Sequence, residues 1–287
     1  MSTTATSTAI PHSARSHSLL ADYGVLVKPR VSTMVVITGA AGFYLGSLRS
    51  GISPFHIGLV EALFGLAVVT AGSSVLNQAL ERTTDRLMPR TADRPMAQRR
   101  IGLAHGLILG FLLVFGGSLY LAYATNLITG TLTLLTAVGY VGIYTPLKRM
   151  TTLNTFIGAF PGALPPLIGW MYRADYAAGG IRVTATQQPV RWAARSSVIQ
   201  ALFYAVLMIP VSLWPTFLHT TGLPYAIAAT LLGLWYLYAT IRFARILRDP
   251  EAPENRAAAR NLLKVSVMYL PLLLAAMMLN AQGRLFF

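Results

Sequence analysis

The chain contains no cysteine, which excludes disulfides and thiolate metal sites. Acids are also scarce: nine Asp and Glu in 287 residues, against 23 Lys and Arg. Charged residues make up 11%, under half of the roughly 25% that a water-facing domain carries. From Ile101 to Leu147 there is none at all, a run of 47 residues. A bilayer crossing takes about 20 apolar residues, so this run holds two. Hydrophobic residues are 54% of the chain and mean hydropathy is +0.56. These figures exclude a soluble enzyme, a disordered chain and a secreted disulfide scaffold. They leave an all-α, polytopic membrane protein.

The net charge is +14. In a soluble chain this would suggest a nucleic-acid partner. In a membrane chain it reflects basic residues retained in cytoplasmic loops, so no nucleic acid is expected. Residues 1–23 are rich in Ser, Thr and Ala, with Arg15 the only Lys or Arg. They lack the apolar core of a secretory signal and read as a flexible cytoplasmic tail. The weak targeting signal favours a bacterial plasma membrane over a mitochondrial one.

Apolar segments fall near 31–48, 58–78, 102–122, 128–146, 154–172, 196–216, 223–243 and 262–281, which gives eight candidate helices. Four basic stretches lie between them: 79–100, 145–153, 173–195 and 244–261. The positive-inside rule puts all four in the cytoplasm. One conflict follows. The stretches 145–153 and 173–195 are separated by a single apolar segment, and one full crossing would put them on opposite sides. Either 154–172 re-enters, or 173–195 lies outside, or a helix is absent. Pro161, Pro165 and Pro166 favour a broken helix.

Three of the nine acids sit in the stretch N-Q-A-L-E-R-T-T-D-R-L-M-P-R-T-A-D-R-P, residues 77–95. Asn77, Glu81 and Asp85 are spaced i, i+4, i+8, so they share one face at the end of the second helix. Their oxygens are hard ligands that suit Mg²⁺, which commonly links carboxylates to a substrate diphosphate. Arg90 and Arg94 follow, placed to hold phosphate oxygens. The ordinary alternative is a solvated loop in which Glu81–Arg82 and Asp85–Arg86 are charge neighbours. In Y-T-P-L-K-R-M-T-T-L-N-T-F-I-G, residues 144–158, Lys148 and Arg149 could neutralise a diphosphate or could be a topogenic pair. In Y-R-A-D-Y-A-A-G-G, residues 172–180, Asp175 is the only acid between Asp93 and Asp249. It could hold a second Mg²⁺ or be a loop aspartate beside Arg173. Among the five histidines, His105 lies early in the third helix, where such a residue is more often packed than a ligand, and it is not counted in the site.

These stretches, with G-A-L-P-P-L-I-G-W at 162–170, resemble the UbiA prenyltransferase superfamily and, within it, the haem-farnesylating branch. The similarity runs from about Tyr23 to the C-terminus, and a UbiA-like transmembrane domain is expected over 24–287. The resemblance implies transfer of a farnesyl group from farnesyl diphosphate to the 2-vinyl group of haem B, giving haem O. It implies Mg²⁺ on Asn77, Glu81, Asp85 and Asp175, and diphosphate held by Arg90, Arg94, Lys148 and Arg149. Asp85, Glu81 and Lys148 then carry the catalysis. It also implies haem A synthase or haem-copper oxidase assembly downstream, and a multi-pass inner-membrane location with a cytoplasmic N-terminus. Two departures stand out. Glu81 stands where the family more often has Asp. The family has nine helices, and the one expected between Trp170 and Tyr172 is missing here. The alternatives are a UbiA-type enzyme acting on an aromatic quinone precursor, or a folded but impaired paralogue.

Overall fold

A computed structural model describes residues 18–151, 173–250 and 252–281, the side chain of Arg149 excepted. Their order is α1 (Leu19–Val27), α2 (Pro29–Arg49), α3 (Ile57–Asp85), α4 (Leu103–Ala124) and α5 (Leu127–Val138). A π-helical turn, Gly139–Tyr144, carries α5 on into α6 (Thr145–Met150). Then come α7 (Arg173–Ala178), α8 (Val190–Phe217), α9 (Leu223–Ile246) and α10 (Glu254–Leu279). No β-strand occurs among the described residues; one isolated bridge joins Thr221 to Ala281.

Among the described residues, seven helices are long and apolar enough to cross a membrane: α2, α3, α4, the run Leu127–Lys148, α8, α9 and α10. They match seven of the eight expected segments. The eighth, 154–172, lies outside the described residues, as does the Gly- and Pro-rich stretch 161–170. The expected tail over 1–23 is too long by at least five residues, because the chain is helical from Leu19. Ser18 caps that helix by accepting from the Ala21 N–H, and Asp22 ties it to the bundle as described below.

The outward faces carry Phe64, Phe111, Leu119, Leu132, Phe203 and Leu231, all exposed. Apolar surface of this extent belongs against lipid. Inner faces use small residues, because apolar burial drives little association between helices already in lipid, and close packing must do it. A Cβ on Gly72 of α3 would sit 2.9 Å from both the Gly110 carbonyl oxygen and the Val114 nitrogen of α4. A Cβ on Gly130 of α5 would sit 2.6 Å from the Ser118 oxygen. Those neighbours are backbone and cannot swing aside, so only glycine fits. The helices pack in sequence, α2 on α3, α3 on α4, α4 on α5, then α8 on α9 and α9 on α10, and α10 returns to α2.

All four basic stretches meet at one end of this bundle. Lys148 reaches Glu81, Arg90 reaches Asp175, and the Arg182 N–H donates to the Lys148 carbonyl at 3.0 Å. The core cluster at this end joins Met88, Ile181 and Val183 to Ala194, Phe243, Leu247 and Ala259. The charge conflict is thereby decided in part. Thr151 and Arg173 lie at the same end, so 173–195 is not on the far side from 145–153. Asp175 shares the end that holds Glu81 and Asp85.

Candidate active site

Helix α3 does not stop at residue 78, where its apolar pattern ends, but runs unbroken to Asp85. Asn77, Glu81 and Asp85 therefore do occupy one helix face. They are buried, at 1%, 8% and 1% exposure. Buried carboxylates need partners, and each member of the row has one from a different part of the chain.

The partner of Asn77 was not anticipated from sequence. Lys28 donates to the Asn77 side-chain oxygen at 2.8 Å. Its position is built by α1. Gln78, fully buried, donates to the Val25 and Leu26 carbonyls at 3.0 Å each, which satisfies carbonyls left open at the C-terminus of α1. Arg100 holds Asp22 through both carboxylate oxygens and also reaches Asp93. The Tyr23 hydroxyl and His105 Nε2 lie 2.8 Å apart in a hydrogen bond. His105 is thus a packing contact between α1 and α4. Between α1 and α2, Lys28 adopts a left-handed backbone (φ 47°), a conformation that costs about 1–2 kcal/mol for a residue with a Cβ. The signals in the sequence were slight: a lone lysine directly before Pro29, at the start of the first span.

Burial, and to a lesser degree the nearby Arg94, lowers the Lys28 pKa from 10.5 to about 8. The amine is therefore an ammonium below that pH and loses its charge as pH rises through it. If Lys28 serves the site by its charge, activity should fall above pH about 8. Folding stability moves the other way. With the folded pKa below the unfolded one, the unfolded chain binds more protons between pH 8 and 10.5, and stability attributable to this group rises across that window. The activity loss is then not unfolding. Lys28→Arg should shift the limb beyond the measurable range; a profile in that variant still breaking near pH 8 would assign the limb elsewhere.

Glu81 accepts from Lys148 Nζ at 3.0 Å. The π-turn shapes this contact. Such a turn holds one more residue than an α-turn and changes the direction of the side chains that follow. Here Thr145 receives a hydrogen bond from the Asn77 amide at 3.1 Å and donates to the Tyr140 carbonyl at 2.9 Å. One turn on, the Lys148 ammonium lies 4.9 Å from the centre of the Tyr144 ring, a cation–π distance.

Asp85 is the last residue of α3, where the helix dipole opposes a negative charge. Arg94 offsets this: its Nη1 donates to both Asp85 oxygens, at 2.9 and 2.8 Å. The loop that returns Arg94 is fastened by Thr91, which donates to the Asp85 carbonyl at 3.1 Å, and by Arg86 to the Ala97 carbonyl. Arg90 lies 3.8 Å from Asp175. Gly179, just past α7, packs against Thr84 and Met88. Of the residues expected in the site, Asn77, Glu81, Asp85, Lys148, Arg90, Arg94 and Asp175 meet at this end. The side chain of Arg149 lies outside the described residues.

Among the described residues no three His, Cys, Asp or Glu side chains converge to hold a metal ion. The donor set nevertheless fits a hard divalent cation. The amide and carboxylate oxygens of α3 face one way, and each is already held by a positive group: Lys28, Lys148 or Arg94. Those ammonium and guanidinium groups occupy the oxygens that Mg²⁺ would take.

A buried row of oxygen donors, each met by a cation, thus lies at one end of a bundle of helices long and apolar enough to cross a membrane. The model of the UbiA prenyltransferase family matches residues 35–174. A solved chain from work on digeranylgeranylglyceryl phosphate synthase in membranes shares the fold, with a TM-score of 0.60 at 18% identity over 91% of this chain and 98% of that one. Curated relatives are more specific. The protoheme IX farnesyltransferase of Koribacter versatilis is 36% identical, covering 92% of this chain and 94% of its own. That of Solibacter usitatus is 32% identical, covering 91% and 99%, and that of Opitutus terrae 34%, covering 92% and 96%. The chain belongs to the protoheme IX farnesyltransferase family and is a prenyltransferase. The K. versatilis alignment spans 294 positions but only 92% of this 287-residue chain, about 264 residues. That relative therefore carries about 30 positions with no counterpart here.

Proposed function

We propose that this enzyme transfers a farnesyl group from farnesyl diphosphate to the 2-vinyl group of haem B, giving haem O. The observation that carries the reading is the α3 row, Asn77, Glu81 and Asp85, buried and matched one for one by Lys28, Lys148 and Arg94. The names of the relatives supply the two substrates. Three carboxylates, Glu81, Asp85 and Asp175, face the four cations Lys28, Lys148, Arg90 and Arg94. The site thus has surplus positive charge for an arriving diphosphate.

In this reading Asn77, Glu81 and Asp85, with Asp175 at the same end of the bundle, would hold Mg²⁺. When bound, the metal shields the diphosphate and stabilises the charge it gains on leaving. Lys148, Arg90 and Arg94 then turn from the carboxylates, and Lys28 from the Asn77 amide, toward phosphate oxygens, and Arg149 is proposed to join them. Arginine suits this by binding two oxygens at once. Breaking the bond between farnesyl C1 and the diphosphate oxygen leaves an allylic cation, and the preset cations stabilise the departing negative charge. The vinyl π-electrons form the new C–C bond. Water adds to the resulting cation and loses a proton, leaving the hydroxyl. No side chain acts as nucleophile.

The basic end is proposed to be cytoplasmic, in a bacterial inner membrane. The shortfall of about 30 positions equals one helix and its connection, and it makes complementation the deciding test. Expression in a strain lacking haem O synthase should restore haem O, detected by mass spectrometry of extracted haem. A stable, membrane-inserted protein that leaves haem B unprenylated would show an impaired paralogue. Prenylation of an aromatic quinone precursor instead would reassign the acceptor.

A further inference from the structure

Four arginines outside the diphosphate site share one cavity. Arg191 and Arg195 lie one turn apart at the start of α8, and Arg245 and Arg248 lie at the end of α9. The cavity between them holds about 500 Å³, within the range of small-ligand sites. α8 and α9 are consecutive spans joined at the opposite end of the bundle, so they run antiparallel. Their depths can therefore be compared directly. The arginines line the mouth, and the same two stripes continue inward as Leu202 on α8 and Ile241 on α9.

The four guanidiniums are exposed, and none forms an ion pair with a carboxylate among the described residues. Asp249 and Glu251 are the acids beside them in sequence, and Glu251 lies outside the described residues. Topogenic charge alone explains why arginines sit at this end, but not why four from two helices converge over an apolar floor. Such a groove at the membrane surface matches a molecule with an anionic head and a hydrocarbon tail.

We propose that this groove binds one anionic phospholipid, its phosphate held by Arg191, Arg195, Arg245 and Arg248 and an acyl chain lying along Leu202 and Ile241. The site is separate from the α3 row and does not depend on the acceptor of the prenyl group. Bidentate guanidinium–phosphate bonds fix the headgroup, and the acyl chain bridges α8 and α9 along the apolar lining of the cavity.

The test uses the full-length protein in detergent micelles and native mass spectrometry, with phosphatidylglycerol and phosphatidylcholine as probes. One retained phosphatidylglycerol per chain is expected, at least tenfold tighter than phosphatidylcholine. Replacing all four arginines with glutamine should abolish that retention while prenyl transfer in neutral lipid and the thermal midpoint stay near wild type. Arg195→Lys with Arg245→Lys should keep most of the binding and serves as a folded, charge-preserving reference. A second control, Arg242→Gln with Arg256→Gln, removes exposed charge elsewhere and should leave retention intact. Equal loss in that control would overturn the proposal in favour of general surface charge. Displacement of the lipid by equimolar inorganic phosphate would make this a free-phosphate site, and loss of haem B binding in the fourfold variant would make it a propionate site; either result overturns it.

Discussion

Asp85→Asn is expected to lower prenyl transfer about 10³-fold or more while leaving a folded, membrane-inserted protein. The substitution keeps the shape of the side chain and removes its charge. In the resting enzyme Arg94 spans both carboxylate oxygens, and Asp85 is 1% exposed. Breaking a fully buried pair costs about 3–5 kcal/mol. Arg94 is partly open to solvent, at 19% side-chain exposure, so the stability loss should fall well below that range. Catalysis suffers more. The leaving diphosphate gains charge in the transition state, and removing one preset electrostatic contributor from such a site typically costs 10²–10³ in rate. Here the loss is compounded, because Asp85 also anchors the arginine that turns toward phosphate. Haem O formation in reconstituted membranes, read beside the thermal midpoint, checks both parts. Turnover within a few-fold of wild type would remove Asp85 from the mechanism.

Lys148→Met should have a comparable effect on rate, about 10²–10³-fold, together with a clear loss of stability. Its ammonium is 3.0 Å from Glu81, and methionine would leave that carboxylate, 8% exposed, without its partner. The two losses can be separated. In the double variant Glu81→Gln with Lys148→Met, no buried charge is stranded, so most of the stability should return. Activity should not return, since both the cation and the oxygen donor are gone. Recovery of the thermal midpoint without recovery of haem O would show that Lys148 acts on the reaction as well as on the fold. Recovery of both would reduce it to a structural partner of Glu81.

The two experiments probe different arms of the site. Asp85 is served by the loop after α3, which folds back within about three turns of chain. Lys148 comes from a separate span and depends on the π-turn for its aim. A disturbance of that turn, for example at Thr145, would loosen Lys148 and Asn77 together, because Thr145 hydrogen-bonds Asn77. Defects at Arg94 and at Lys148 should therefore combine more nearly additively than defects at Thr145 and Lys148, which sit within one turn of each other on the same short helix.

The spans were readable in advance because the bilayer sets their length and forbids unpaired backbone inside it. Seven of the eight segments appear as helices, and their displaced ends are the polar turns that continue a helix beyond the lipid. Glu81 and Asp85 belong to such a turn, and their periodicity with Asn77 was the clue to them. Lys28 left no such clue. Its role rests on Gln78 capping α1 and on Arg100 gripping Asp22, contacts 52 and 78 residues apart in the chain. The arginine cavity was half legible. The stretches 173–195 and 244–261 stood out as basic, but nothing in either one shows that they face each other.

By itself the sequence determined that this is a helical membrane protein and that Asn77, Glu81 and Asp85 line one helix face. Each of these follows from composition or from a local period, which a one-dimensional pattern contains. The tertiary structure decided which cation meets which oxygen, that Asp175 stands at the same end as Asp85, and that Lys28 completes the row. Those facts depend on which helices become neighbours, and that is set by glycine contacts such as Gly72 against Gly110 and by hydrogen bonds between distant segments. At 2.8–3.0 Å a charge pair is strong and at twice that distance it is weak, so only the packed bundle fixes the chemistry of the site.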